Sequence, residues 1–251
     1  MIRDGRKVES VSSNYENNQS GSDDMDTMLQ SKTRGQSIRQ FFLFTVIFSW
    51  LALTGTSCRA QTKPVTSTAI VGGACDGCRG IYDNMPAQLD WQTTIASAAE
   101  PGEKMEITGI IYQVDGKTPA PNVILYVYHT DAKGIYSPAP GATGGARIHG
   151  HLRGWVKTNQ RGEYKFTSIR PAHYPNARGP AHIHAIVKEA DKNEYWIDEY
   201  LFDDDPALKR EPSPKIENRG GSGIIHLARN SDGTWIGKRD IVLGLNIPNY
   251  K

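Results

Sequence analysis

His182 and His184 stand two residues apart in the run RGPAHIHAIV, Arg178 to Val187. The run ends apolar and β-branched, as a strand does. On a strand, residues i and i+2 share one face. Both imidazoles then point the same way, with Cα atoms about 7 Å apart by strand rise. Imidazole is the commonest protein metal ligand, so such a pair can chelate a metal. Two unrelated surface histidines have the same spacing. Tyr174 lies eight residues before His182, and Pro175 and Pro180 bracket a loop that can fold it back over the strand. Tyr136 follows a strand end at a turn in YHTDAKGIYSP. Two tyrosines and two histidines could thus converge on one cation. A second H-x-H, His149 and His151 in RIHGHLRGW, reads as a loop near that site with no ligand role.

The elements that must position these residues are strands. ITGIIYQVDGKTPAPNVILYVYHTDAKGIY reads as two strands around a Gly- and Pro-punctuated turn. GWVKTNQRGEYKFTSIRP gives two more around NQRG, and PAHIHAIVKE and EYWIDEYLF another pair around ADKN. GIIHLAR and GTWIGKRDIVLGL finish the chain. No window keeps a helical period. Short strands with regular turn signals predict an all-β sandwich over residues 103–251, ample to bury one core. The acidic run Asp203–Asp205 in FDDDP reads as a solvated turn, and Trp91, Trp155, Trp196 and Trp235 as core residues. Among the 251 residues, 22% are charged and the net charge is +2. No basic stripe asks for nucleic acid.

The first part of the chain is not domain-like. Residues 1–34 are a polar extension. FFLFTVIFSWLAL, Phe41 to Leu53, follows Lys32, Arg34 and Arg39, and it is too short for a comfortable span of about 20 residues. A basic lead, an apolar run and small residues afterwards read as an export signal over residues 35–60. Met28 as the start would give it ordinary length, leaving residues 1–27 as a misassigned beginning; a single-pass anchor is the other reading. Cys58 closes LALTGTSC, which resembles a bacterial lipobox with Gly55 at the usual aliphatic position. The rival cut follows Ala60. Residues 61–102 read as a linker segment holding Cys75 and Cys78 in C-x-x-C. A zinc ribbon needs a second such pair, which the three cysteines of the chain do not supply. A thioredoxin-like site needs a βαβ context. In an oxidising compartment the pair reads as a short disulfide.

Three blocks, in order, carry a family resemblance. ITGIIYQVDGKTPAPNVILYVYHTDAKGIY, GEYKFTSIRPAHYP and GPAHIHAIV resemble the segments of the intradiol ring-cleavage dioxygenases, the protocatechuate and catechol dioxygenase group. The resemblance runs from about Ile107 to Val187. It implies a non-haem ferric ion, Fe(3+), held by Tyr136, Tyr174, His182 and His184. It implies a catechol-type diol and dioxygen as substrates, with cleavage between the two hydroxyl-bearing carbons to a muconate-type diacid. Ferric iron is hard and favours anionic oxygen, and a bound cation holds phenols as phenolates well below their free pKa near 10. Tyr174 takes the part of the tyrosinate that substrate displaces and that serves as a local base.

The chain departs from the family at a few positions. Gly179 stands where the family has an arginine that steadies charge on the substrate, and Arg178, one residue earlier, is the candidate to replace it. Tyr128 stands where a tryptophan is common, as a substrate-binding aromatic, and Tyr126 where an acid is frequent. The loop from Tyr174 to His182 is short for the family. Two rival readings remain at this stage. A cupin-type metalloenzyme would use H-x-H with Glu189, but the flanking glycines are replaced by Asn176 and Trp196, and strand parity turns Glu189 to the other face. A non-catalytic sandwich binding module, or a degenerate family member, would use Tyr136 and Tyr174 only as turn aromatics.

The signal reading makes the protein an exported, periplasmic or outer-membrane lipoprotein that meets the membrane only through its lipid. Expressed in a Gram-negative host, the mature chain should begin at a lipid-modified Cys58 and lack residues 1–57. Mass spectrometry finding an unmodified start at Gln61 would overturn the lipid anchor and keep the export.

Overall fold

Alternation decides the architecture. β-Branched and aromatic residues recur with period two, and each strand hides one side against a second layer. The computed structural model describes residues 70–176, 179–210 and 215–251. In chain order the strands are β1 (Gln92–Thr94), β2 (Lys104–Tyr112), β3 (Ile124–His129), β4 (Arg153–Lys157), β5 (Glu163–Ile169), β6 (His182–Lys188), β7 (Tyr195–Phe202), β8 (Ile224–Ile225), β9 (Leu227–Arg229), β10 (Trp235–Lys238) and β11 (Ile241–Val242). One sheet runs β1-β5-β2-β10-β9, with β11 also on β2; the other runs β4-β3-β6-β7-β8. A short helix, α1 (Gly144–Ile148), is the single α-helix among the described residues. The all-β sandwich expected from the sequence is the observed fold.

The core lies between the sheets. Ile107 and Phe166 from the first sheet meet Leu125, Val127, Ile183 and Val187 from the second. Each is at most 1% exposed, and such burial stabilises by roughly 1.5–3 kcal/mol per side chain. On β6 the alternate residues, His182, His184 and Ile186, take the opposite face. Ile186 joins Tyr126, Cys78 and Ile81 in a second, smaller cluster there.

Three expectations change. The segment read as a linker over 61–102 is built into the fold where it is described. Ile81 is fully buried, and Gln92–Thr94 pairs in parallel with Lys165–Thr167. The tryptophans are half-buried rather than core: Arg153 lies over Trp155, Arg219 over Trp196 and Arg229 over Trp235. The FDDDP run is a solvated turn only in part: Asp203 and Asp204 are exposed, but Asp205 is 3% exposed, and Asp204 holds Arg170 at 2.6 Å.

Where β3 ends, His129 points into the core and bridges the layers. Its Nδ1 donates to the Thr130 carbonyl at 2.8 Å, and its Nε2 accepts from Ser168 Oγ at 2.7 Å. Burial drives its pKa down to about 4. The unfolded chain takes up that proton near pH 6.5 and the folded chain does not. Stability is therefore whole above pH 6.5 and falls as pH drops toward 4, by at most about 1.4 kcal/mol per pH unit. Denaturant midpoints measured across that window should fall with pH, and His129→Gln should flatten the dependence.

Candidate metal centre

The outer face of the second sheet carries the chemistry. His182 and His184 share it on β6, as the spacing requires, with ring centroids 4.7 Å apart. Tyr136 and Tyr174 reach it from loops. Asp131 shapes the first loop: its carboxylate accepts from the amides of Lys133 and Ile135 and from Ser137 Oγ. Gly134 sits in this turn at φ +79, and a Cβ there would fall 1.8 Å from the His173 carbonyl oxygen. Only glycine lets the two tyrosine-bearing loops touch backbone to backbone. Thr130 Oγ1 adds a second tie by donating to the Ala172 carbonyl at 2.7 Å.

Four polar atoms then converge. Tyr136 Oη lies 2.8 Å from Tyr174 Oη, which lies 3.0 Å from His182 Nε2 and 3.4 Å from His184 Nε2. Each imidazole has its other nitrogen engaged. His182 Nδ1 donates to the Pro180 carbonyl at 2.9 Å, and His184 Nδ1 meets the Glu199 carboxylate at 2.9 Å. Both Nε2 lone pairs therefore face the phenols. Metal bonds of about 2.0–2.2 Å put neighbouring ligand atoms about 2.8–3.5 Å apart, the spacing found here. Outer acceptors on Nδ1 are also what metal-bound histidines ordinarily have. The four side chains fit one hard cation.

Burial governs the electrostatics of the cluster. Burial, then the bond to Tyr174, pushes the Tyr136 phenol far above its ordinary pKa. Burial also raises Tyr174 and lowers His182. Without a cation the group is neutral: Tyr136 donates to Tyr174, which donates to an imidazole. A cation reverses that ordering and favours phenolates. Glu199 differs. Burial opposes its charge, but the bond to His184 and the fields of His184 and His182 outweigh burial and lower its pKa.

Glu199 is the residue that sequence reading missed. Its strand carries a bulge: Ile183 pairs with Tyr200 but Ala185 with Ile197, so β7 has one residue extra opposite His184. Strict alternation from Ile197 would bury Glu199; the bulge turns it outward to His184. The signal was present in EYWIDEYLF, where the inward residues Tyr195, Ile197, Tyr200 and Phe202 break their own period between 197 and 200. The carboxylate offered to a cupin reading, Glu189, lies elsewhere and accepts from Tyr195 and Tyr250. The sets His182, His184 and Glu199 also place ligand atoms within 4.8 Å of one another. Glu199, however, meets the nitrogen of His184 that faces away from the phenols.

Around this centre, Tyr128 is sandwiched between His149, 3.7 Å away by ring centroids, and His184, 4.5 Å away. His149 thus forms a wall, and a Cβ on Gly80 would strike its ring at 2.5 Å. His151 turns to Glu100 instead, at 3.0 Å. Cys75 and Cys78 are joined as a disulfide, and Cys75 lines a cavity of about 340 Å³ with Tyr128, His184, Trp196 and Glu199. A side chain at Gly179 would meet open space. Arg178 and Cys58 lie outside the described residues.

A two-sheet β-sandwich with a tyrosine and histidine cluster on one outer face defines the class of protein, and sequence comparison gives its family. The family model described as Dioxygenase matches residues 81–213, more than half of the chain. The chain belongs to the intradiol ring-cleavage dioxygenases. It is 26% identical over 188 residues to catechol 1,2-dioxygenase 1 of Acinetobacter lwoffii, across 60% of each chain. It spans about 60% or less of the length of the curated relatives it matches. Among solved structures it is similar to the dioxygenase domain of a dioxygenase carbohydrate-binding protein fusion from Streptomyces sp. SirexAA-E, at 20% identity, 64% of this chain, 96% of that one and a TM-score of 0.46. Hydroxyquinol 1,2-dioxygenase of Pseudomonas putida DLL-E4 gives 18% identity, 73% and 68% coverage and a TM-score of 0.49.

Glu199→Gln should leave the fold intact and weaken metal retention by about 10–100-fold, because the outer partner of a metal-binding histidine is lost. Glu189→Gln should leave retention unchanged. Chelator competition on the two purified variants reads the difference; equal retention would remove Glu199 from the site.

Proposed function

We propose that this chain is an exported non-haem Fe(3+) oxidoreductase that opens a catechol-type ring between its two hydroxyl-bearing carbons. The observation that carries the reading is the meeting of Tyr136 Oη, Tyr174 Oη and the two Nε2 atoms of His182 and His184 within 3.4 Å contacts. Family membership supports it. When bound, the ferric ion supplies a Lewis acid and a template for the diol. The residues do the rest. Tyr136, His182 and His184 would hold the ion. Tyr174 Oη, at the centre of the contacts, would be the base that takes one hydroxyl proton from the diol. Tyr128, with both ring faces covered by imidazoles, offers its edge and hydroxyl to the substrate. Arg178 steadies charge on the bound diol in place of the arginine that Gly179 lacks. Export with a lipid at Cys58 completes the reading, and the Cys75–Cys78 disulfide is at home in such a compartment.

Purified protein should be red-brown from phenolate-to-iron charge transfer and should convert catechols to diacids with uptake of dioxygen. Tyr136→Phe should lose iron, Tyr174→Phe should hold iron more weakly and lose turnover, and His182→Ala or His184→Ala should lose iron outright. Gly179→Arg, whose Cβ would meet no neighbour within 4 Å, should raise turnover. Colourless protein with a divalent metal, whose activity ignores Tyr136→Phe, would refute the assignment in favour of a site made by His182, His184 and Glu199.

A further inference from the structure

Two consecutive aspartates after β7 hold the loop that brings Tyr174 to the centre. The loop runs from Arg170 to Ala181, between β5 and β6. Asp204 grips its start through paired bonds to the Arg170 guanidinium, at 2.6 and 2.9 Å. Asp205 grips its middle and its end. Its Oδ2 lies 2.9 Å from His173 Nε2 and accepts from the Ala181 amide at 2.8 Å. Its Oδ1 caps the turn Pro206–Lys209 by accepting from the Ala207 amide at 2.8 Å. The Asp205 side chain is 2% exposed. A buried carboxylate with three donors is a charge-assisted fixture, stronger than neutral contacts of the same length.

These partners are placed to matter. His173 precedes Tyr174. The Ala181 amide belongs to the same planar peptide unit as the Pro180 carbonyl, and that carbonyl accepts from His182 Nδ1 at 2.9 Å. Asp205 therefore pins and polarises, from one side, the peptide whose other side sets the orientation and tautomer of His182. We infer that Asp205 is a positioning residue. It orients the tyrosine and the histidine of the centre together, one through His173 and the other through the 180–181 peptide, and Asp204 fixes the loop's entry. The inference rests on the proposed reading of the centre for its consequence in metal binding, but not for its geometry.

The test separates the two. Imidazole ¹⁵N spectra of the metal-free protein should show His182 as the single Nδ1–H form. Asp205→Asn removes the charge and must turn an NH₂ group toward at least one donor. It should give an exchange-averaged His182 signal and a loss of iron retention of about 10–100-fold in chelator competition. His173→Ala touches a half-exposed residue and should alter the phenolate absorption band while leaving the His182 signal as in the unmodified protein. An Asp205→Asn protein whose melting point falls but whose His182 signal is unchanged would reduce Asp205 to a turn cap and overturn the inference. So would a His173→Ala protein that disturbs His182 equally. If the unmodified protein takes up no iron, the metal reading fails, and the ¹⁵N signals still decide the role of Asp205.

Discussion

A β-strand can give one face only every second residue, and this limits how a sheet makes a metal-binding centre. β6 supplies two imidazoles to the outer face and spends the alternate residues, Ile183 and Ala185, on the core. The two phenols, Tyr136 and Tyr174, come from loops laid over the strand, with a chain that lacks the ladder's own hydrogen bonds. Ordering such a loop costs about 1–2 kcal/mol per residue in backbone entropy. Much of the structure near the centre answers that cost. Asp131 knits the Tyr136 turn, Thr130 ties it to the Tyr174 loop, and the acidic turn after β7 holds that loop at its start, middle and end.

The imidazoles need equal care, because a histidine free to flip offers either nitrogen. Three kinds of contact remove that freedom. His182 is fixed by the Pro180 carbonyl, His184 by the Glu199 carboxylate, and the His184 ring is held flat against Tyr128. Tyr128 in turn is backed by His149, whose ring is pressed by Gly80 in the segment that carries the disulfide. The stretch before β2 thus belongs to the scaffold of the centre, since it stiffens the far side of the aromatic stack.

The legible part of this was whatever obeys a period. Strand-forming runs, the sandwich, and the shared face of His182 and His184 follow from alternation alone. The two tyrosines are legible through proximity to turns and a family likeness, and the structure puts their oxygens in contact. Glu199 escaped because a bulge breaks the alternation that sequence reading relies on. Asp205 escaped because a run of three acids before a proline has the composition of a solvated turn. Only the fold shows that the third acid faces inward, where three donors wait for it. The segment before residue 103 read as linker because its apolar residues are few; Ile81 and Cys78 suffice, since they fill a small cluster on the outer face rather than the main core.

Charge balance gives the centre its choice of ion in the proposed reading. Tyr136 and Tyr174 are neutral when no cation is present, because burial raises both phenols. Ionised together, they carry two negative charges, and Glu199 beside His184 carries a third. Buried charge that is not compensated is expensive. A divalent ion would leave the group net negative and would favour keeping one phenol protonated. A trivalent ion brings the sum to zero with both phenols ionised. A neutral diol binding there would pass one hydroxyl proton to Tyr174, the one phenol whose oxygen already touches Tyr136 and both imidazoles, and the sum would stay at zero. The geometry that made Tyr174 the hub of the neutral network is thus the geometry that lets it surrender its negative charge at the moment substrate supplies more.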